Sequence, residues 1–272
     1  MSLEETKQLL RTYRISPNKL LGQNFMVEPS LYGKMCEYAS ICVSDEVLDV
    51  GAGFGFLTRF LADKCRAVIA VEKDQQVAEV LREQVKGLGN VTVIGGDVFR
   101  TALPDFNKVI AIPPYYFSSH LVEWFLDRRI DCAVFIVQKE FAQRLNASPR
   151  SDDYSWLTIL TYRHMEVELL DAVPKEMFFP QPKVDSVIVR LKPRSKLCFE
   201  VRDGAFFKKL AKGLFTERNR KLAKALTPFF KTNLQLSKQD AEKLAATLPF
   251  HDKRVRELTP EQFGALENAI PR

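Results

Sequence analysis

The sequence predicts an α/β protein in two parts: a Rossmann-like, mostly parallel sheet covered by helices, then a small all-helical domain. Three observations carry this. Short apolar runs alternate with helical stretches between residues 46 and 137. The first of those runs ends in a glycine loop, Gly51-Ala52-Gly53-Phe54-Gly55. Beyond the linker Pro193-Arg194-Ser195-Lys196 the pattern turns helical and basic.

The elements follow in order. Leu3 to Tyr13 reads as a short polar helix. Glu46–Val50 is an apolar run that stops at Gly51, and Phe56–Lys64 then has helical spacing. Ala67–Val71 is β-branched and ends at Glu72. Gln75–Lys86 puts Val77, Val80, Leu81 and Val85 on one helical face. Val91–Ile94 ends near Asp97, and Lys108–Ile112 ends at Pro113-Pro114. Ser119–Asp127 is helical and Ala133–Gln138 has the continuous apolar character of a buried strand. Such alternation implies a parallel sheet with both faces covered. Glu166–Ala172 and Ser186–Lys192 read as two further strands, antiparallel at the sheet edge, around a Pro-rich loop from Val173 to Lys183. Phe206–Leu226, Leu236–Leu248 and Pro260–Ala269 read as helices, with Ser237 and Thr259 as N-caps. The boundary falls between a sheet domain at residues 1–192 and a helical domain at 193–272.

Composition narrows the function. The chain has 272 residues, 46% hydrophobic and 27% charged, the balance of a globular protein. No apolar run approaches the roughly 18–20 residues that span a bilayer, and no apolar leader opens the chain, so a cytoplasmic protein without membrane contact is expected. Five scattered cysteines without a C-x-x-C pair argue against a disulfide framework and against a zinc site. With three histidines besides, no metal centre is expected. The net charge of +6 is uneven: residues 195–272 carry 16 Lys and Arg against 9 Asp and Glu, while the first 194 are near neutral. A basic module on a neutral body suits a polyanion such as nucleic acid, although a solvated lysine-rich surface gives the same count.

The glycine loop is the central chemical signal. A strand that ends in glycines and opens a helix lets a ligand approach the backbone closely. Dinucleotide-binding loops use G-x-G-x-x-G with a pyrophosphate at the helix start. Here the spacing is G-x-G-x-G and Asp49 stands just before it, an acid that would repel a pyrophosphate. A sulfonium-bearing amino acid with a free ammonium, as in S-adenosylmethionine, suits the acid better. Glu72 at the next strand end is placed to accept from ribose hydroxyls, and Asp97 after the third to accept from an adenine amine. An NAD-dependent oxidoreductase is the competing reading of these strand ends.

At the following strand end stands Ile112-Pro113-Pro114-Tyr115-Tyr116. Carboxyl ends of strands line the crevice of an open α/β sheet, so an aromatic after two prolines is held rigidly beside the cofactor. Methyltransferases that act on base amines carry a Pro-Pro-aromatic or Asn-Leu-Pro-Tyr loop here. The exocyclic nitrogen of adenine is a poor nucleophile because its lone pair is delocalised. Acceptors on its two N–H bonds free that lone pair, and an aromatic face holds a flipped-out base.

On these residues the chain resembles the KsgA-type small-subunit ribosomal RNA adenine dimethyltransferases, in their archaeal/eukaryotic-like form. The resemblance begins at Lys19-Leu20-Leu21-Gly22-Gln23-Asn24-Phe25-Met26 and runs through Asp49–Gly55, Glu72, Gly96-Asp97 and Pro114-Tyr115. It recurs in Val173-Pro174 and in Phe178-Phe179-Pro180-Gln181-Pro182-Lys183-Val184-Asp185-Ser186, the most specific run, and closes with Phe215–Leu222. It implies a class I methyltransferase sheet that binds S-adenosylmethionine. Asn24 and Met26 would contact the cofactor from the N-terminal segment, Gly51 its methionine part, Glu72 its ribose and Asp97 its adenine. Pro114, Tyr115 and Phe178 would form the catalytic set, with Tyr115 and Phe178 sandwiching the target adenine. The implied reaction is N6 methylation of two adjacent adenosines near the 3′ end of small-subunit rRNA, during ribosome biogenesis. The implied partner is the pre-small ribosomal subunit, bound by a monomer whose basic helices hold RNA phosphates. Lys208, Lys209, Lys212, Arg218, Arg220, Lys221 and Lys224 are the densest basic stretch, with Phe207, Leu210, Leu214 and Leu222 as the core face.

One position departs from the family. Ile112, counted with the cofactor-binding residues, stands where the motif carries Asn, and Pro113 replaces its Leu. Losing a transition-state acceptor costs roughly 3–4 kcal/mol. The Pro113 carbonyl is a remaining acceptor. Two alternatives stay open on this ground: an assembly factor that binds pre-rRNA and cofactor with weak or no transfer, and a methyltransferase for another nucleic acid, of the Erm or mitochondrial transcription-factor kind.

Overall fold

A computed structural model describes residues 3–18 and 21–271. Lys19 and Leu20 of the N-terminal motif lie outside the described residues. The chain divides into two compact units, residues 1–142 with 166–193, and residues 143–165 with 194–272. The expected division at 192/193 is thus corrected: residues 143–165 belong with the helical unit, because Tyr154, fully buried, donates its hydroxyl to the Leu258 carbonyl at 2.7 Å.

In the first unit the order is α1 (Leu3–Thr12), β1 (Phe25–Met26), α2 (Ser30–Tyr38), β2 (Glu46–Val50), α3 (Phe56–Ala62), β3 (Ala67–Glu72), α4 (Gln75–Gln84), β4 (Val91–Gly95), β5 (Lys108–Ala111), α5 (Ser118–Leu126) and β6 (Cys132–Gln138). Helix α6 (Lys139–Leu145) runs across the division and α7 (Trp156–His164) lies in the second unit. Strands β7 (Met165–Val173), β8 (Phe178–Phe179) and β9 (Ser186–Pro193) complete the sheet unit.

Seven strands form one sheet in the order β4-β3-β2-β5-β6-β9-β7. The five strands β4 to β6 are parallel, and β9 runs antiparallel to β6. The central strands are apolar on both faces, with Val47, Leu48, Val68, Val109, Ile110 and Val134 fully buried. That is what helices on both sides require. The four residues read as the buried face of α4 are all buried, and Asp74 caps that helix by accepting from the Gln76 and Val77 amides. Such a cap is worth about 1 kcal/mol.

The chain steps outward from β2 through β3 to β4, then returns to β5 on the other side of β2. The carboxyl ends of β2 and β5 therefore flank the point where the winding reverses, which is where open α/β sheets bind ligands. A second, two-stranded ribbon pairs β1 with β8 antiparallel, Met26 opposite Phe178. It draws the N-terminal motif and the Pro-rich motif together.

The second unit adds α8 (Gly204–Phe215), α9 (Leu222–Asn233), α10 (Lys238–Thr247) and α11 (Pro260–Ala269). Phe207, Leu210, Leu214 and Leu222 are buried, as their spacing predicts, and Ser237 and Thr259 cap α10 and α11. The single helix expected over Phe206–Leu226 is two. Residues 220–222 pair with 253–255, Val255 N donating to Arg220 O at 3.1 Å and Leu222 N to Lys253 O at 2.7 Å. Extended pairing of that kind is incompatible with continuous helix. Arg218 is committed within the unit, its guanidinium on the Ser151 and Asp152 carbonyls, and Lys212 lies 4.7 Å over the Trp156 ring. Lys209, Arg220, Lys221 and Lys224 are exposed. Among the described residues, no helix is long and apolar enough to cross a membrane.

Candidate active site

A cleft opens at the carboxyl ends of β2, β3, β4 and β5. Eight of the nine residues singled out from the sequence line it: Asn24, Gly51, Glu72, Asp97, Ile112, Pro114, Tyr115 and Phe178. Met26 does not. Its side chain is buried in the core between α2 and the sheet, and it lines a smaller pocket shared with Asn24, Gly51 and Ile112. The strand pairing of β1 turns it inward, so its side chain does not reach the main cleft.

The glycine loop is held from below, Gly51 N and Ala52 N both donating to Val71 O at 2.8 and 3.1 Å. Gly51 has φ +75°, and a Cβ there would stand 3.1 Å from Pro114 Cδ. The loop after β2 and the loop after β5 thus approach too closely for a side chain. Glu72 is nearly buried. Its Oε2 accepts from Gly53 N and its Oε1 from Asp74 N, each at 2.9 Å. Burial pushes its carboxyl up, against those two amides. Each oxygen keeps a second lone pair for a hydroxyl in the cleft.

Asp49 is wholly buried below the loop. Thr58 Oγ1 donates to its Oδ2 at 2.7 Å, while Oδ1 has no partner among the described residues. Burial pushes this carboxyl up to about 7. The residue lines the smaller pocket, so its unsatisfied oxygen is an acceptor waiting for a donor or cation. Asp97 is different. Burial raises it, but the Phe99 amide at 3.1 Å and Lys73 Nζ at 3.1 Å outweigh burial and hold it below the usual carboxylate range. From the N-terminal segment, Asn24 Nδ2 donates to Gly22 O at 3.0 Å, and Gln23 Nε2 donates to Asp74 Oδ2 at 2.9 Å. Gln23 was not singled out from the sequence, yet it ties that segment to the start of α4.

At the end of β5, Tyr115–Phe117 forms a single tight turn. Ser118 Oγ donates to Tyr115 O at 3.0 Å, and the Tyr115 hydroxyl meets Ser186 Oγ at 2.7 Å. Burial pushes the Tyr115 phenol up. Ser186 closes the motif that contains Phe178, which is the one sequence signal that pointed to it. The Tyr115 and Phe178 rings stand 6.4 Å apart at 75°. They touch edge to face, so the parallel slot expected for a sandwiched base is not formed. The reason is that β1–β8 pairing sets Phe178 and Ser186 sets Tyr115, each independently of the other. Ile112 is half-buried and packs against the core cluster, offering no side-chain acceptor.

The acceptor set fits S-adenosylmethionine. The loop at Gly51 would take the methionine part, with Asp49 behind it in the smaller pocket, Glu72 the ribose and Asp97 the adenine amine. The sheet, the reversal point and this set define a class I S-adenosylmethionine-dependent methyltransferase. The sequence model of the ribosomal RNA adenine dimethylase family matches residues 15–263, and the chain belongs to that family. The probable ribosomal RNA small subunit methyltransferase A of Methanosarcina acetivorans is 34% identical over 266 residues, covering 97% of each chain. The corresponding protein of Methanothermobacter thermautotrophicus is 35% identical over 263 residues, covering 95% of this chain and 93% of that one. Among solved structures, a dimethyladenosine transferase from Plasmodium falciparum superposes with a TM-score of 0.71 at 27% identity, over 89% of this chain and 95% of that one. The 23S rRNA methyltransferase ErmE superposes at 0.63 and 29% identity, over 91% and 99%. The family's activity is S-adenosylmethionine-dependent methylation of rRNA, and the NAD reading of the strand ends falls away.

Proposed function

We propose that this enzyme methylates N6 of two adjacent adenosines near the 3′ end of small-subunit rRNA, within the pre-small ribosomal subunit, during ribosome biogenesis in the cytoplasm. The observation that carries the reading is the placement of Pro114, Tyr115 and Phe178 in one cleft with Gly51, Glu72 and Asp97. The names of the curated relatives favour the small subunit over the large-subunit target of ErmE.

When bound, S-adenosylmethionine supplies an electrophilic methyl group. The chain's own residues then have three tasks. The Tyr115 ring, fixed through its hydroxyl by Ser186, offers a face to the base; Phe178 closes the other side once one ring turns. The Pro113 carbonyl supplies one acceptor for the base amine, and the acceptor that an Asn side chain provides elsewhere in the family is missing at Ile112. Exposed Lys209 of α8, Lys224 of α9, and Arg220 and Lys221 between them hold RNA phosphates, with the enzyme acting as a monomer.

Ile112 favours a second reading, an assembly factor that binds pre-small-subunit rRNA and cofactor with weak or no transfer. Incubating unmethylated small subunits with labelled cofactor, then mass spectrometry of the 3′ rRNA fragment, separates the two. Dimethylated adenosines support the first. Cofactor binding with an unlabelled fragment supports the second.

A further inference from the structure

Five aromatic rings run outward from the cleft along its rim. Tyr116 meets Phe117 at 5.2 Å and 80°, and Phe117 meets Phe99 at 5.8 Å and 89°. Phe99 meets Trp124 at 6.2 Å and 79°, and Phe106 stacks on Trp124 at 6.1 Å. His120 adds a ring 6.3 Å from Phe99. The strip is not core: Tyr116 is 54% exposed and Phe99 36%. Tyr116, Phe117 and Phe99 also line the cleft, so the strip is continuous with the place where the target base would sit.

Cations stand against it. The Arg128 guanidinium lies 3.7 Å over the Trp124 ring and is exposed. Lys73 pairs with Asp97 at the inner end with half of its side chain exposed, and exposed Arg100 is close enough to act on the same carboxylate. Exposed π-faces beside cations are the chemistry of single-stranded RNA binding, where bases stack and phosphates pair.

We propose that this rim strip, entered at Tyr116, stacks the unpaired base next to the target adenosine and so helps hold the strand with one base in the cleft. The inference rests on the methyl-transfer reading above. Tyr116 follows Tyr115 directly in the chain, so a strand with one base at Tyr115 brings its neighbouring base to the lip. Tyr116 packs against Gly22, where a Cβ would stand 3.3 Å from the ring, and this holds the tyrosine outward.

The test is steady-state transfer to unmethylated small subunits, with cofactor affinity and binding of protein-free rRNA measured alongside. Tyr116→Ala should raise KM for the particles and the Kd for protein-free rRNA about tenfold, the size of one lost base stack. kcat and cofactor Kd should stay within about twofold. Tyr116→Trp should restore both RNA values, because it restores the π-face, and Phe99→Ala should weaken RNA in the same direction from a different loop. Unchanged KM and Kd in Tyr116→Ala and Phe99→Ala, with transfer intact, would overturn the inference alone. A rise confined to particles, with none for protein-free rRNA, would overturn it in favour of a protein contact. Absence of transfer by the wild type would instead sink the reading on which it rests.

Discussion

At the ends of β2, β3 and β4 the cleft is walled by glycines and carboxylates that are tied to backbone amides. At the end of β5 it is walled by prolines and aromatics that are tied to one another. Glu72 is fixed by two amides and Asp97 by an amide and a lysine, so these groups are set before any ligand arrives. Tyr115 hangs from a single side-chain contact to Ser186, and its ring meets Phe178 edge to face. A site that must bind one invariant cofactor gains from rigid acceptors. A base entering between the Tyr115 and Phe178 rings would require one of the two rings to turn. The same sheet thus carries a preorganised half and an adjustable half, and Ile112 lies in the second.

Substitutions in the two halves should separate cleanly. The largest effect is expected for Glu72→Ala. It removes a buried carboxylate and leaves Gly53 N and Asp74 N without their acceptor, so cofactor affinity should fall a hundredfold or more, on the order of 3 kcal/mol. Isothermal titration with S-adenosylmethionine checks this, and an affinity within threefold of wild type would break the comparison. Tyr115→Ala should lower kcat for rRNA roughly thirtyfold, about 2 kcal/mol for a lost stacking face, while cofactor Kd moves less than about threefold. Equal losses in both would mean that the two halves are one mechanical unit.

An effect on stability rather than on binding or rate concerns pH. The folded chain keeps the Asp49 proton up to about 7, whereas an ordinary aspartate releases it near 3.8. The stability linked to that proton is therefore full at low pH and is lost as the pH rises through 7. Between pH 5 and 8 the cofactor-free protein should lose roughly 2–3 kcal/mol that Asp49→Asn does not lose. Thermal melts of both proteins at the two pH values measure the difference. Parallel curves would show that Asp49 is ionised throughout.

The rigid half was legible in the sequence because its signals are local. A strand, a glycine or an acid at its end, and an amphipathic helix after it are all written within a dozen residues, and β2, β3 and α4 fall where the pattern puts them. The adjustable half was legible only as residue types. Two-residue strands have no periodicity, so the β1–β8 ribbon that joins Met26 to Phe178 left no trace. Ring orientation depends on that ribbon and on Ser186, which is distant in sequence. Helix α7 was missed because Leu157 to Thr161 are all buried, which erases the polar side of the helical repeat. The break between α8 and α9 comes from pairing with residues 253–255, again invisible to a local pattern. Likewise, the basic count of the second unit could not show that Arg218 serves its own loop carbonyls.

The central claim is that the cofactor half is intact and that the reaction half works with Ile112 in place of an amide acceptor. Single-turnover methyl transfer to unmethylated small subunits, compared between wild type and Ile112→Asn at equal cofactor saturation, tests it directly. The account predicts measurable dimethylation by the wild type, a rate roughly a hundredfold or more higher in Ile112→Asn from the regained acceptor, and cofactor Kd values within about twofold of each other. No transfer by either protein, with cofactor bound normally by both, would contradict it.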